Sequence, residues 1–328
     1  MKICILSDES FEDFTPAFYL KDYDWEMVYV KQPAYDFLVI LSKDRRESVY
    51  FNLCDGSLDE DRPGLDVVLA LEALNLPFTG ADSRFYNPTR EQMQAVADEQ
   101  GIGFARGFHA ESLRDLSDAE KLRYPLMVKH PNSYGSVGMT RDSRVENPQQ
   151  LLAQAERMLE LYGGARVEEF IEGREFTCLV VDNPDDLTDP FAYPPGELEF
   201  PDGEQFLHTD TKWFSDVPIH PAADQLLVSR IQEMSKKIFL GLGGVGYGRT
   251  DIRMTADGEL FMLEINPNCA ILYPPEQNGP ADMPIMFDPE GYRGFFDRIF
   301  RSALARRQLR APIETKSRPR AGMVAVKP

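Results

Sequence analysis

The chain has 328 residues, 43% hydrophobic and 27% charged, enough apolar material for two or three compact units but with no run long enough to span a membrane. Its formal net charge of −19 excludes nucleic acid as an expected partner, because a phosphate backbone needs a basic surface. Cys4, Cys54, Cys178 and Cys269 are far apart with no paired C-x-x-C, which excludes a disulfide framework or a zinc site and fits a reducing cytoplasm.

In chain order, KICILSD reads as an edge-of-sheet strand whose short apolar run does not make a signal peptide, so a cytoplasmic protein is expected. DFLVILS is a second apolar run of strand character, VVLALEALN is helical in period, and NLPFTGA is extended. Residues 1–87 thus form a small α/β layer with a parallel sheet. The loop NLCDGSLDEDRPG is placed at the carboxyl edge of that sheet, where open α/β sheets take ligands. Thr89 is a helix N-cap after Pro88, and Gly101 is the stop. A second unit, 88–172, continues with the strand YPLMVKH, the loop PNSYGSVGMT, the helix PQQLLAQAERMLELYGG and the strand ARVEEFIEG. A third, 173–310, has the strand REFTCLVVDN, a Pro/Asp/Gly-rich excursion through 182–206, the helix QLLVSRIQEMSKKIFLGLG and a closing hairpin. Basic residues gather after Phe300, among them Arg306 and Arg310, without a functional motif, and 311–328 reads as a basic tail.

The hairpin GRTDIRMTADGELFMLEIN carries the most information. Two β-prone runs joined by Ala256-Asp257-Gly258 would set Asp251 beside Glu264, thirteen residues on, with Asn266 on the same face as Glu264. These are hard oxygen donors of the kind Mg²⁺ prefers when it also holds phosphate oxygens, although a solvated hairpin would also carry such residues. Lys129 ends a strand ahead of Gly135-Ser136-Val137-Gly138, a loop able to turn N–H groups towards phosphate; a plain strand-end lysine is the alternative. Glu168, Glu169, Phe170, Ile171 and Glu175 could grip an adenosine, or could simply be acids on a strand. No Walker loop occurs.

Six segments in order, PFTGADS, TREQM, YPLMVKHPNSYGSVGM, VEEFIEGREFT, TDTKWFSD and GVGYGRTDIRMTADGELFMLEINPN, resemble the ATP-grasp superfamily, nearest to its D-alanine:D-alanine ligase branch of carboxylate-amine ligases. The resemblance spans about residues 60–270. It implies an α/β (α+β) ATP-grasp fold in which the second and third units sandwich ATP beside the N-terminal layer. It implies that Lys129, Ser136, Lys212 and Arg90 contact phosphates, that Glu168 to Ile171 form the adenine edge, that Glu175 takes the ribose and that Leu263 underlies the purine. Asp251, Glu264 and Asn266 match ligands for two Mg²⁺ ions, with Mn²⁺ able to substitute. Arg249 matches the catalytic arginine that holds the acyl oxygen as charge develops. The implied reaction joins a small carboxylate and an amine through an acylphosphate; a homodimer is the assembly such ligases commonly form.

Departures fall where substrate is chosen. Gly135 replaces a serine, Arg90 a lysine, and Asn52-Leu53-Cys54-Asp55-Gly56 lacks the family histidine. Pro267-Asn268-Cys269-Ala270-Ile271-Leu272-Tyr273 replaces a Ser-Pro-Gly turn. Glu12, in Ser10-Phe11-Glu12, matches an ammonium-binding glutamate. Glu12, Asp55, Gly135, His208 and Asn268 are therefore the expected substrate-facing residues, and amino acids or similar small acids the expected substrates. D-alanine:D-alanine ligase itself and a non-catalytic ATP-binding regulator stay open as alternatives.

Overall fold

The computed structural model describes residues 1–9, 15–56, 61–132, 136–209 and 217–310. Glu12, Gly135, Lys212 and the 311–328 tail lie outside them.

Strands β1 (Lys2–Ser7), β2 (Asp24–Tyr29) and β3 (Ser48–Asn52) form a parallel sheet in the order β2-β1-β3. Strand β1 is therefore the middle strand and not an edge strand, as its burial on both faces requires. DFLVILS belongs to helix α1 (Ala34–Leu41), not to a strand. Buried Ala34 and Leu38 alternate at helical period with exposed Tyr35 and Ile40, a distinction a short apolar run conceals. Helix α2 (Leu65–Ala73) covers the same face, and Phe78 bridges Tyr50 to extend the sheet.

Helix α3 (Arg90–Gln100) has the expected bounds. Thr89 and Gln92 form a reciprocal capping box, worth about 1 kcal/mol, and Gly101 closes the helix in the left-handed region. After β4 (Gly103–Phe104), strands β5 (Gly107–Ala110), β6 (Leu126–Lys129), β7 (Arg144–Val145) and β8 (Ala165–Glu169) make an antiparallel sheet, ordered β5-β8-β6-β7, under helix α4 (Pro148–Tyr162).

The largest sheet is built on β9 (Arg174–Val181), with β10 (Phe191–Ala192), β11 (Gly196–Leu198) and β12 (Ile219–Pro221) to one side. The 182–206 excursion thus contributes two short strands. Helix α5 (Gln225–Gly241) leads into β13 (Tyr247–Met254) and β14 (Leu260–Pro267), and α6 (Asp282–Phe287) and α7 (Gly291–Leu309) follow. Helices α3 and α5 pack on one face of this sheet, and β4 pairs with β14, so residues 90–104 sit on the third unit's sheet. On its other face Phe295, Phe296 and Phe300 of α7 join Ile3, Ile5, Val49 and Phe51 in one core, which fixes the N-terminal sheet against the hairpin. Among the described residues no helix is long and apolar enough to cross a membrane.

Candidate active site

The β13–β14 hairpin aligns Asp251 directly with Glu264, and a bulge follows between Asp251 and Ile252. Gly258, at φ 85°, makes the turn between them that a side chain would strain. Residues two apart share a strand face, so Arg249 and Asp251 on β13 face Glu264 and Asn266 on β14. The Asn266 amide Nδ2 donates to Asp251 (3.1 Å) and to Glu264 (3.2 Å). Arg249 forks onto both Asp251 oxygens (2.9 and 2.7 Å), and Thr177 of β9 donates to one of them. From the first turn of α3, Arg90 reaches Glu264 (3.0 Å) and the Leu263 carbonyl (3.4 Å). Burial would raise Glu264, but Arg90, Lys129 and Arg249 outweigh it and hold the carboxyl below its ordinary value. Burial likewise disfavours the Arg249 cation, and Asp251 more than offsets this.

Two carboxylates and a carboxamide thus converge on one sheet face, an all-oxygen set that fits Mg²⁺. Asn266 now presents its NH₂ to the acids; exchanging its amide O and N would present a third oxygen. Among the described residues no cluster of three or more His, Cys, Asp or Glu side chains is built for a metal, since this set has only two acids. A small cleft opens beside it, lined by Asn87, Arg90, Asn132, Glu264 and Asn266.

A second cluster adjoins the first. Lys129 at the end of β6 is buried and ion-paired with Glu168 of β8, while Arg166, two positions before Glu168, takes its other oxygen at 3.0 Å. Burial and then the Arg90 charge push Lys129 down. Burial pushes Glu168 up, yet Lys129, Arg90 and Arg166 prevail and hold it at about 2. Glu169 is separate: its carboxylate accepts from the Arg123 backbone (3.1 Å) and guanidinium (3.0 Å). Phe170 lies beneath the Arg144 and Arg253 guanidinium groups.

Arg253, like Arg166, is a residue of the site that the sequence did not single out. It lies opposite Glu175 in the β13–β9 pairing, donates to it at 3.0 and 2.8 Å, and donates also to the Ile171 carbonyl at 2.7 Å. Burial raises the Glu175 carboxyl, against the pull of Arg253. A cross-strand charge pair was the available signal, visible only once the β9 register is known.

The remaining expected residues are spread around these clusters. Ser136, at φ 61°, donates to the Leu207 carbonyl (3.3 Å), and Thr209 bonds back to the Met139 carbonyl, so the 136–140 loop rests on the 206–209 loop. His208 is buried, its ring 3.0 Å from Glu204. Asp55 follows β3 and shares Arg62 with Asp8, which follows β1. Asn268 turns inward, its Oδ1 accepting from the Ala81 N–H at 2.6 Å. Cys269 is buried beside Arg249 and Asp251, and burial pushes its thiol up to about 12, so it stays a protonated, inert group.

A family model described as D-ala D-ala ligase C-terminus matches residues 106–271, half of the chain. The D-alanine–D-alanine ligase of Lactococcus lactis subsp. cremoris SK11 is 26% identical over 231 residues, 67% of this chain and 63% of that protein. The ligase of the same name from Oceanobacillus iheyensis is 28% identical over 229 residues, covering 66% and 59%. The chain therefore spans under two thirds of the length of these curated relatives. The crystal structure of D-alanine–D-alanine ligase from Bacillus anthracis complexed with ATP superposes with a TM-score of 0.69 at 18% identity, covering 94% of this chain and 99% of that one. The enzyme from Coxiella burnetii gives 0.66 at 17%, covering 94% and 95%. The fold is thus ATP-grasp, and with the oxygen-donor hairpin inside the matched span, the chain belongs to the D-ala D-ala ligase C-terminus family.

Proposed function

We propose that the protein is an ATP-dependent, ADP-forming carboxylate-amine ligase acting on amino acids or similar small acids. The observation that carries this reading is the convergence of Asp251, Glu264 and Asn266 beside Arg249, with the Lys129–Glu168 pair next to them. Asp251, Glu264 and Asn266 would hold two Mg²⁺ ions, or Mn²⁺, which neutralise phosphate charge when bound. Lys129, Arg90, Ser136 and Lys212 would meet the phosphates, Glu168 the exocyclic amine of adenine, Glu175 the ribose, and Ile171 and Leu263 the faces of the purine. Glu169 spends its carboxylate on Arg123 and its N–H on the Arg106 carbonyl, so it would meet that edge only through its own carbonyl.

In the first step an oxygen of the acid bonds to the γ-phosphorus and the bond to the β–γ bridging oxygen breaks, releasing ADP. The amine nitrogen then bonds to the acyl carbon; the nitrogen loses a proton and inorganic phosphate leaves. Arg249 would stabilise the tetrahedral oxyanion; its fork onto Asp251, which holds the guanidinium before charge develops, supports this role. No side chain needs to act as a nucleophile. A purely regulatory ATP binder would have no use for that arginine. The relatives' names suggest D-alanine, but Cys269, Ile271 and Leu272 are buried and bring no hydroxyl, so the proposal stops at the amino-acid-like class.

We divide the chain functionally at about 87 and 172, with 90–104 riding on the third unit's sheet, and place the reaction in the cytoplasm. Phosphate release from Mg-ATP with pooled amino acids and small acids, followed by mass spectrometry, tests the reading. Release restricted to particular pairs, with a product one water lighter than their sum, is expected. ATP binding without release from any pair would overturn it.

A further inference from the structure

Two carboxamides at the carboxyl edge of the N-terminal sheet have no use in the scheme above. Asn52, the last residue of β3, is 1% exposed, and its Oδ1 accepts from the Cys54 N–H at 3.2 Å. Asn268 is 9% exposed, at φ 48°, with its Oδ1 on the Ala81 N–H. A backbone donor thus fixes which amide atom is oxygen in each, so the other must be the NH₂ group. Both Nδ2 atoms are buried, and among the described residues neither has a hydrogen-bond partner. The two residues hang from one short segment, because the Asn52 N–H bonds Thr79 Oγ1 while Asn268 holds Ala81. Buried polar groups are almost always paired, so two donors at one sheet edge with no partner among the described residues call for an acceptor oxygen.

That edge is where an open α/β sheet takes its ligand, and Asp8, Asp55 and Arg62 lie along it. Asn268 follows Asn266 by two residues, just past the end of β14. The segment therefore links the sheet edge to the reacting end of the site. Gly80, at φ 85°, lies flat against the Asn268 amide, and a Cβ there would come within 2.2 Å of its Oδ1, so a side chain at this position would displace the amide.

We propose, on the reading of the protein as a ligase, that its acid substrate carries an oxygen acceptor away from the reacting carboxylate, and that Asn52 and Asn268 bind that oxygen. A hydroxy or amide-bearing acid satisfies both donors, whereas alanine leaves them unpaired. A site built to hydrogen-bond a substrate oxygen rejects the analogue lacking it far more strongly than an apolar pocket rejects a methylene.

Hydroxylamine provides the test, since it attacks an acylphosphate to give a hydroxamate and phosphate without knowledge of the native amine. Matched acids are compared with Mg-ATP: alanine with serine, and propionate with lactate and 3-hydroxypropionate, in both configurations where they exist. The wild-type protein should favour an oxygen-bearing member by at least about tenfold in kcat/KM. Asn52→Asp and Asn268→Asp keep the shape and the bond to the backbone N–H but replace the NH₂ donor with an acceptor. Each should reduce the preference to within about twofold, while calorimetry shows Mg-ATP affinity unchanged. No wild-type preference, or a preference intact in both variants, would overturn the proposal and leave the amides to structural water. If no acid yields hydroxamate although ATP binds, the ligase reading falls and this inference with it.

Discussion

Replacing Arg306 with alanine should loosen the N-terminal sheet from the hairpin. Arg306 of α7 is buried and donates to the carbonyls of Gly80 and Phe78, at 3.1 Å each, with its Nε 3.2 Å from the Asp182 carboxylate. Asp182 is also buried, and its remaining bond is from the Gly246 N–H at 2.8 Å. Removing one partner of a buried ion pair costs about 3–5 kcal/mol, because the charge left behind is uncompensated. The two carbonyls add little, since water can enter the vacated guanidinium space. At roughly 2–4 °C per kcal/mol the melting temperature should fall by about 6–20 °C, and Arg306→Lys, with the charge but no fork, should lose about half as much. Burial already raises the Asp182 carboxyl against the pull of Arg306, and losing the arginine raises it further. An acid raised in the folded state holds its proton more tightly there than when unfolded. The folded state therefore gains stability as pH falls through the window between the raised value and the ordinary aspartate value. The Arg306→Ala deficit should shrink from pH 8 to pH 5, read as the difference in melting temperature from wild type. A deficit under about 1 kcal/mol, or one that is flat or grows on acidification, would refute the assigned role.

Four substitutions examine the site itself. Arg249→Ala should lower amide formation by about 10²- to 10³-fold with ATP binding largely intact in calorimetry, the scale of one lost oxyanion partner. Glu168→Gln removes the charge balancing Lys129 and Arg166 and should weaken Mg-ATP binding about tenfold or more. Glu169→Gln should change it less than about twofold, since Arg123 is largely exposed and such pairs contribute little. Glu264→Gln should weaken Mg-ATP binding and turnover together, and EDTA should abolish phosphate release until Mg²⁺ or Mn²⁺ is restored; wild-type Mg-ATP affinity in the variant would remove Glu264 from the metal set.

What was legible in the sequence followed from local rules. The Asp251–Glu264 alignment needed only a two-residue period and an Asp-Gly turn, and α3 announced both its ends through Thr89 and Gly101. The misreadings occurred where local rules are silent. DFLVILS fits a strand or a helix equally well, and β1 became a middle strand only because β2 and β3 pair on either side of it. Arg253, Arg166 and Arg306 look like ordinary surface cations in a charged chain. Each is buried against a carboxylate: Arg166 against Glu168 on its own strand, and Arg253 and Arg306 against Glu175 and Asp182, which sheet pairing and helix packing bring from elsewhere. Asn268 was expected to face substrate, but it spends its oxygen on Ala81, so only half of its amide remains available.

The charges around the cleft yield one more consequence. Arg90, Lys129, Arg166 and Arg249 face Asp251, Glu168 and Glu264, leaving the network one positive charge in excess. Lys129 bears the strain, because burial and the Arg90 charge both favour its neutral form while Glu168 and Glu264 resist. A triphosphate entering beside it would reverse that balance and raise its affinity for a proton. Nucleotide binding should therefore take up a proton at pH values where free Lys129 is partly neutral, and affinity should fall as pH rises through that range. Titration calorimetry in two buffers of different ionisation enthalpy, between pH 7 and 9.5, reads the uptake directly, and Lys129→Arg, which stays charged throughout, should abolish it. Equal apparent enthalpies in both buffers across the whole range would mean that Lys129 is fully protonated before nucleotide arrives, and that the excess positive charge is dissipated elsewhere in the network.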